Sequence, residues 1–392
     1  MLSEYYDKDL YPFELIFRMM TCNKKLQSAE SRVIAVQFQA NTNVFVMHDY
    51  PRDSVQALKR KMLVGSSRPP QSMHMAHFKD GKHFLHAQKE LVFDMDITDF
   101  YRFCECRGVK RLCPVCWFHI QGASLLLQYL LEEVMGYERT HCLWVFSGGK
   151  GLHCFVNEPR AMNLSDKQRS QLHKRLSIVM GDDARLIDFI TTLVKNAPQV
   201  VDSLDRFFLD DVLREQDLFA LPVFEERPGV EESFELFCLR HLRTRHTTLY
   251  YQVKDVWAKE DASPSPKKAR FGDSGGGGGE NISVRKWKIL QQLETLYKSS
   301  YRPSLFLQTR LMYPAIDAGP FNMVHQIKLP FSVHAMTHNV ALPLSQESIM
   351  CMDIKRDVLS IEQLCAHYKA NKTTPGPFDE GLRLLESWIE TY

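Results

Sequence analysis

Glu90-Leu-Val-Phe-Asp-Met-Asp-Ile-Thr-Asp99 is the stretch on which the reading of this chain turns. In an extended strand successive side chains alternate between faces, so Leu91 and Phe93 take one side and Val92, Asp94 and Asp96 the other. Two carboxylates two residues apart therefore sit side by side on a stiff scaffold. Like charges that close raise a pKa and cost stability unless a cation stands with them. A divalent ion is the usual answer, and a carboxylate pair suits magnesium or manganese. In isolation the same stretch also reads as two solvated aspartates at a sheet edge.

Downstream lies Tyr101-Arg-Phe-Cys-Glu-Cys-Arg-Gly-Val-Lys-Arg-Leu-Cys-Pro-Val-Cys-Trp117. Cys104, Cys106, Cys113 and Cys116 can close a tetrahedral zinc site, and four sulfurs leave no open position, so the site is structural. His119 can replace Cys104 as the fourth ligand, and buried or redox-active thiols are the alternative to zinc. From Trp117 a helix is expected, with Leu125, Leu126, Leu130 and Val134 at helical spacing and Gly136 as its C-cap. A strand Cys142–Phe146 follows, then Ser147-Gly-Gly-Lys-Gly-Leu-His153, then a strand Cys154–Val156. The middle piece is a glycine-rich turn between two strands, not the strand-to-helix phosphate loop of the Walker type. Its glycines let backbone N–H groups approach an anion, Lys150 adds a point charge, and Ser147 and His153 can reach the same phosphate. A plain tight hairpin is the competing account.

Upstream, residues 1–21 read as one or two helices whose Tyr5, Tyr6, Tyr11, Phe13 and Phe17 are expected to pack. Two strands, Arg32–Phe38 and Val44–Met47, flank the turn Asn41-Thr-Asn43. Residues 163–245 turn helical and highly charged, an accessory lobe with no chemistry of its own. A Ser/Pro/Gly-rich insertion then carries Lys267-Lys-Ala-Arg270, a sequence that permits nuclear import, and helix resumes near Val284. Far downstream, Asp317 ends the short apolar run Tyr313-Pro-Ala-Ile-Asp317 and can project from a strand tip as a third carboxylate, although each residue of this stretch taken alone reads as structural. His325, Lys328 and His334 follow as a cationic set suited to triphosphate oxygens.

The length of 392 residues fits one large or two intimate domains. With 49 basic and 47 acidic residues the net charge is only +2, so a field for nucleic acid must be local. The acidic N-terminus is unlike a signal peptide and no stretch reaches the apolar length of a membrane span. Ten cysteines without a secretion signal point to thiols and metal in an intracellular protein.

Taken in order, these pieces resemble the catalytic small subunit of the archaeo-eukaryotic DNA primases, the eukaryotic form most closely. The resemblance is carried by the opening Tyr-Tyr-x-x-x-Leu-Tyr-Pro, Lys89-Glu-Leu-Val-Phe-Asp-Met-Asp96, Cys113-Pro-Val-Cys-Trp117, Leu143-Trp-Val-Phe-Ser-Gly148 with Gly151-Leu-His-Cys154, and Leu329-Pro-Phe-Ser-Val-His334. It implies an α/β (α+β) fold: a mixed-sheet catalytic lobe from residues 1–180 and 305–392, with the zinc motif at 104–116. A helical subdomain at 181–304 would be inserted between, containing a flexible insertion at about 258–283. By resemblance Asp94, Asp96 and Asp317 hold two catalytic magnesium or manganese ions. Ser147, Lys150, His153, His325, Lys328 and His334 hold the incoming nucleotide, and the four cysteines hold one zinc ion.

The implied function is de novo synthesis of short RNA primers from NTPs on single-stranded DNA. Alternatives are a primase-like repair polymerase and a catalytically weakened scaffold or single-strand-binding subunit. The implied partners are a large primase subunit carrying an iron–sulfur cluster and the DNA polymerase alpha complex, in the nucleus and with no membrane. Three departures stand out. The family has Ser-Gly-Arg-Arg-Gly-x-His where this chain has Gly149 and Lys150, a change that can cost on the order of 1.5–3 kcal/mol for each charged hydrogen bond. The family's basic residue in an N-terminal strand is replaced around Met47-His48, and its first two zinc ligands are adjacent whereas Cys104 and Cys106 are not.

Overall fold

The computed structural model describes residues 2–7, 10–24, 32–37, 45–47, 72–77, 88–97, 114–177, 183–214, 217–220, 224–227, 230–262, 281–297, 301–323, 325–354 and 356–392. Its strands are β1 (Arg32–Gln37), β2 (Phe45–Met47), β3 (Ser72–His77), β4 (Leu91–Asp96), β5 (Cys142–Phe146), β6 (Gly151–Val156), β7 (Phe224–Arg227), β8 (Val230–Glu232), β9 (Ile327–Lys328) and β10 (Pro343–Leu344). They form two four-stranded sheets, β2-β1-β3-β9 and β10-β5-β6-β4, and a small β7-β8 ribbon. Every pairing is antiparallel. Each large sheet thus takes its outermost strand, β9 or β10, from a part of the chain far downstream of the others.

The second sheet carries a hydrophobic payload. Leu91, Val92, Phe93 and Met95 on β4 and all of β6 are buried, so both faces of these strands are covered. One cover is the helix Pro114–Tyr129, which buries Trp117, Ile120, Ala123, Leu126 and Leu127. Trp117 meets Phe146 of β5 edge-on at 5.9 Å, and its indole N–H donates to the Ile349 carbonyl at 3.3 Å. A wider π-helical turn, Leu130–Val134, ends this helix, and Gly136 at φ +66° turns the chain away, as the expected C-cap requires.

The N-terminal aromatics pack as expected. Tyr5, Tyr6, Tyr11, Phe13 and Phe17 are buried, with Tyr5 and Tyr6 ring centroids 5.2 Å apart and Tyr11 and Phe13 4.9 Å apart. The Tyr5 hydroxyl donates to the carbonyl of Phe331 at 2.8 Å. Phe331 has φ +63°, an uncommon backbone for a bulky residue, and the buried tyrosine helps to hold it.

The middle of the chain is helical: Asp183–Asn196, Pro198–Phe207, Phe234–Arg245, Thr247–Ala262 and Ile282–Glu294 pack around Phe208, Phe234, Trp257 and Trp287. The β7-β8 ribbon interrupts it, a correction to the all-helical reading of 163–245. That charge-rich region has little apolar periodicity at 224–232, and cross-strand pairing was not visible in it. β6 also starts earlier than expected, at Gly151 instead of Cys154, so His153 is a strand residue. Phe38, Val44, the turn 41–43 and His48 lie outside the described residues, as do Cys104, Cys106, Cys113 and Lys267–Arg270. Cys116 and His119 are described, both buried on the helix Pro114–Tyr129. Among the described residues no helix is long and apolar enough to cross a membrane.

Candidate active site

β4 and β6 pair with Asp94 opposite His153 and Asp96 opposite Gly151. The register puts the His153 Nε2 3.3 Å from Asp94 Oδ1. Burial alone would raise the Asp94 carboxyl; the His153 charge and hydrogen bond, with Lys328 and His325 behind them, outweigh it and hold the group below the ordinary carboxylate value. Opposite Asp96 only glycine fits, because a Cβ on Gly151 would stand 2.4 Å from the Met95 carbonyl oxygen. The expectation that the Gly151 amide approaches an anion is corrected: that amide bonds the Ser147 hydroxyl, and the glycine is needed for close approach of the neighbouring strand.

The turn between β5 and β6 is organised from within. The Ser147 hydroxyl oxygen accepts from the amides of Gly149 at 3.2 Å and Gly151 at 3.1 Å. Those two amides therefore point into the turn, while the hydroxyl keeps its own hydrogen to donate. Gly148 needs its glycine for φ +76°. The Lys328 ammonium donates to the Ser147 carbonyl at 3.0 Å, which ties β9 of the first sheet to the turn of the second. Burial pulls the Lys328 pKa from 10.5 down to about 8, against an upward pull from Asp94 and Asp96.

His334 lies over this turn. Its Nδ1 accepts from the amides of Met336 and Thr337, both at 3.3 Å, which places the ring proton on Nε2. Burial, with Lys328, Lys150 and His338 nearby, lowers the His334 pKa to about 4, so the ring is neutral at pH 7. The ring fills the space that a side chain at position 149 would take: a Cβ on Gly149 would be 2.7 Å from His334 Nε2.

The third carboxylate arrives on an irregular segment, not on a strand tip. After the helix Pro303–Met312 the chain runs without regular structure to a 3₁₀ turn at Gly319–Phe321. There the Asp317 amide donates to the Asp94 carbonyl at 2.9 Å, and Asp317 Oδ1 accepts from the Gly319 amide at 3.1 Å. Periodicity cannot see such a contact, because Asp317 is held by its backbone. His325 borders the same turn, with its ring 2.8 Å from where a Gly319 Cβ would be. Burial and Lys89 lower the His325 pKa, against Asp317 and Asp94. The structure thus gathers Asp94, Asp96, Asp317, His153, His325 and Lys328 at one place, with Ser147, Lys150 and His334 around the adjoining turn.

Among the described residues no three His, Cys, Asp or Glu side chains stand close enough to hold a metal ion as placed. The donor chemistry nevertheless fits one. Asp94 and Asp96 share a strand face, Asp317 is bonded to the same strand, and hard carboxylate oxygens suit magnesium or manganese. Lys328 supplies positive charge beside the carboxylates, and the His153 ring contacts Asp94 directly.

Residues 93–345 match the family model of the DNA primase small subunit. The chain is 25% identical over 364 residues to the DNA primase small subunit of Saccharomyces cerevisiae, a match covering 88% of this chain and 80% of that protein. It is 26% identical to the Schizosaccharomyces pombe small subunit over 66% of this chain and 53% of that one. With the Drosophila melanogaster small subunit the identity is 27%, over 68% of this chain and 57% of that protein. The matched part therefore spans four fifths of the first of these relatives and little more than half of the other two.

Proposed function

Because this chain belongs to the DNA primase small subunit family, we propose that it is a nucleotidyltransferase that builds short RNA primers de novo on single-stranded DNA for replication. The observation that carries this reading is the bond from the Asp317 amide to the Asp94 carbonyl at 2.9 Å, which sets a third carboxylate beside the aspartate strand. Asp94, Asp96 and Asp317 would hold two magnesium or manganese ions, which when bound lower the pKa of the attacking hydroxyl and neutralise the departing pyrophosphate. The protein's own side chains bind and orient. Lys328 and Lys150 supply charge for the triphosphate, the His334 Nε2–H donates to its oxygens, His153 orients Asp94 through its Nε2 contact, and Ser147 keeps the turn in shape. Cys104, Cys106, Cys113 and Cys116 are assigned to one structural zinc ion. By the same resemblance the working partners are a large subunit with an iron–sulfur cluster and the DNA polymerase alpha complex, in the nucleus.

The test gives the purified chain, with and without a cognate large subunit, a poly-pyrimidine template, NTPs and manganese. Labelled oligoribonucleotides that vanish in the double variant Asp94→Ala/Asp96→Ala are expected. No product under any metal or partner condition would leave the scaffold reading in front.

Two further results are expected at the triphosphate end. Gly149→Ala pushes on the His334 ring at 2.7 Å and should weaken nucleotide binding about tenfold, a loss of about 1.4 kcal/mol from one misplaced donor, read by fluorescent-nucleotide titration. Lys328 loses its proton as pH rises through about 8, so metal-free nucleotide affinity should fall above that pH, and Lys328→Arg should flatten the profile. Stability moves the other way. Between about 8 and 10.5 the unfolded lysine binds a proton that the folded one has released, so stability rises with pH across that window in wild type and not in Lys328→Arg.

A further inference from the structure

Lys89 sits just ahead of β4 and is 1% exposed. Its ammonium donates to three backbone carbonyls, those of Pro320 at 3.3 Å, Asn322 at 2.7 Å and His325 at 3.4 Å. All three belong to the segment that starts at Asp317 and ends at His325. An ammonium is expensive to bury, and it persists in an interior only where acceptors replace its water. Its three donors on one small head can also gather three carbonyls from different points of a loop, one more than the two donors of a side-chain amide allow.

Lys89 is fixed from behind. Its amide donates to the Met162 carbonyl at 3.3 Å, and its carbonyl accepts from the fully buried Arg169. The Arg169 guanidinium also bonds the Glu90 carbonyl at 3.2 Å, so the start of β4 is anchored on both residues. Other contacts hold the segment's flank: His173 Nε2 lies 2.9 Å from the Ile316 carbonyl, and the Met323 amide donates to Asp166 Oδ1 at 3.1 Å. Those contacts run to a helix. Lys89 links the segment directly to the residue run that bears Asp94 and Asp96.

We propose that Lys89 is a positioning residue that sets the placement of Asp317 against the β4 aspartates. The proposal rests on the polymerase reading of this site and deepens it: the turnover step depends on Lys89, and capture of the nucleotide does not. A misplacement of about 1 Å between reacting groups can cost on the order of a hundredfold in rate.

Three measurements on Lys89→Met and Lys89→Arg test it. Lys89→Met keeps an apolar stem and removes the donors; its kcat should fall about a hundredfold, with the nucleotide KM within about threefold of wild type. Manganese affinity without template or nucleotide, read by electron paramagnetic resonance, should weaken, and amide exchange across 317–325 should speed up. Lys89→Arg retains the charge and should recover part of kcat. Wild-type kcat in folded Lys89→Met overturns the proposal, as does a loss that falls on KM; should Lys89→Met fail to fold, wild-type kcat in Lys89→Arg overturns it. If the wild-type chain makes no primers, the polymerase reading fails on its own, and the manganese and exchange measurements still decide the role of Lys89.

Discussion

Asp317→Asn should lower kcat for the proposed primer synthesis by about 10³-fold and should leave the melting temperature unchanged or slightly higher. The two halves of this result have separate physical origins. The contact that seats the segment on β4 is made by the Asp317 amide to the Asp94 carbonyl, which the substitution does not touch. An asparagine Oδ1 also still accepts from the Gly319 amide, as the aspartate does at 3.1 Å. The residue is exposed, so no cavity opens. Only a negative charge is lost, and with it some repulsion against Asp94. In the proposed chemistry that charge holds a metal against the reacting phosphate. Several kcal/mol of charge stabilisation depend on such a metal, and at about 1.4 kcal/mol per tenfold in rate roughly 4 kcal/mol gives the expected loss. Steady-state primer synthesis and thermal denaturation of the same preparation check it. A folded variant that keeps more than a tenth of the wild-type rate would remove Asp317 from the site.

Gly151→Ala should do the opposite, damaging fold and activity together. The added methyl would lie 2.4 Å from the Met95 carbonyl oxygen and 3.2 Å from the Asp96 Cα, and both are backbone of the neighbouring strand. No side chain can rotate away, so β4 and β6 must part where Asp96 pairs with position 151. Overpacking of this kind costs about 3 kcal/mol or more, measurable by denaturant unfolding. Primer synthesis should fall further than stability predicts, because the displaced element carries Asp96. Gly136→Ala is the control: φ is +66° but nothing lies within 4 Å, so only the left-handed backbone penalty of about 1–2 kcal/mol applies. Equal effects of the two substitutions would show that the contact at Met95 is unimportant.

Some of this architecture was legible in the residues. Alternation in Glu90–Asp99 identified β4 and put Asp94 and Asp96 on one face, because side-chain direction in a strand depends only on parity. The C-cap at Gly136 and the aromatic packing of the N-terminus followed from equally local rules. The start of β6 did not, since Gly151 carries no side chain to show a pattern, and its strand character comes from pairing with Asp96. The ribbon at 224–232 was missed for a related reason: its strands are short, charged and stabilised by each other.

At the site the same boundary holds. Residue order alone supplied the side-chain types: two carboxylates two residues apart, a distant third, a glycine turn, and histidines and lysines to match a polyanion. It could not determine their company. The order of motifs implied that Asp317 joins the pair, yet what seats it is a backbone amide on the Asp94 carbonyl, which leaves no mark on residue identity. That His334 closes over Gly149, that Ser147 draws the turn's amides inward, and that Lys89 gathers three carbonyls under the Asp317–His325 segment are also tertiary facts. Local sequence fixes the direction of a side chain. Only packing of segments distant in the chain fixes which charge it faces, and that pairing sets the pKa values and the chemistry of the site.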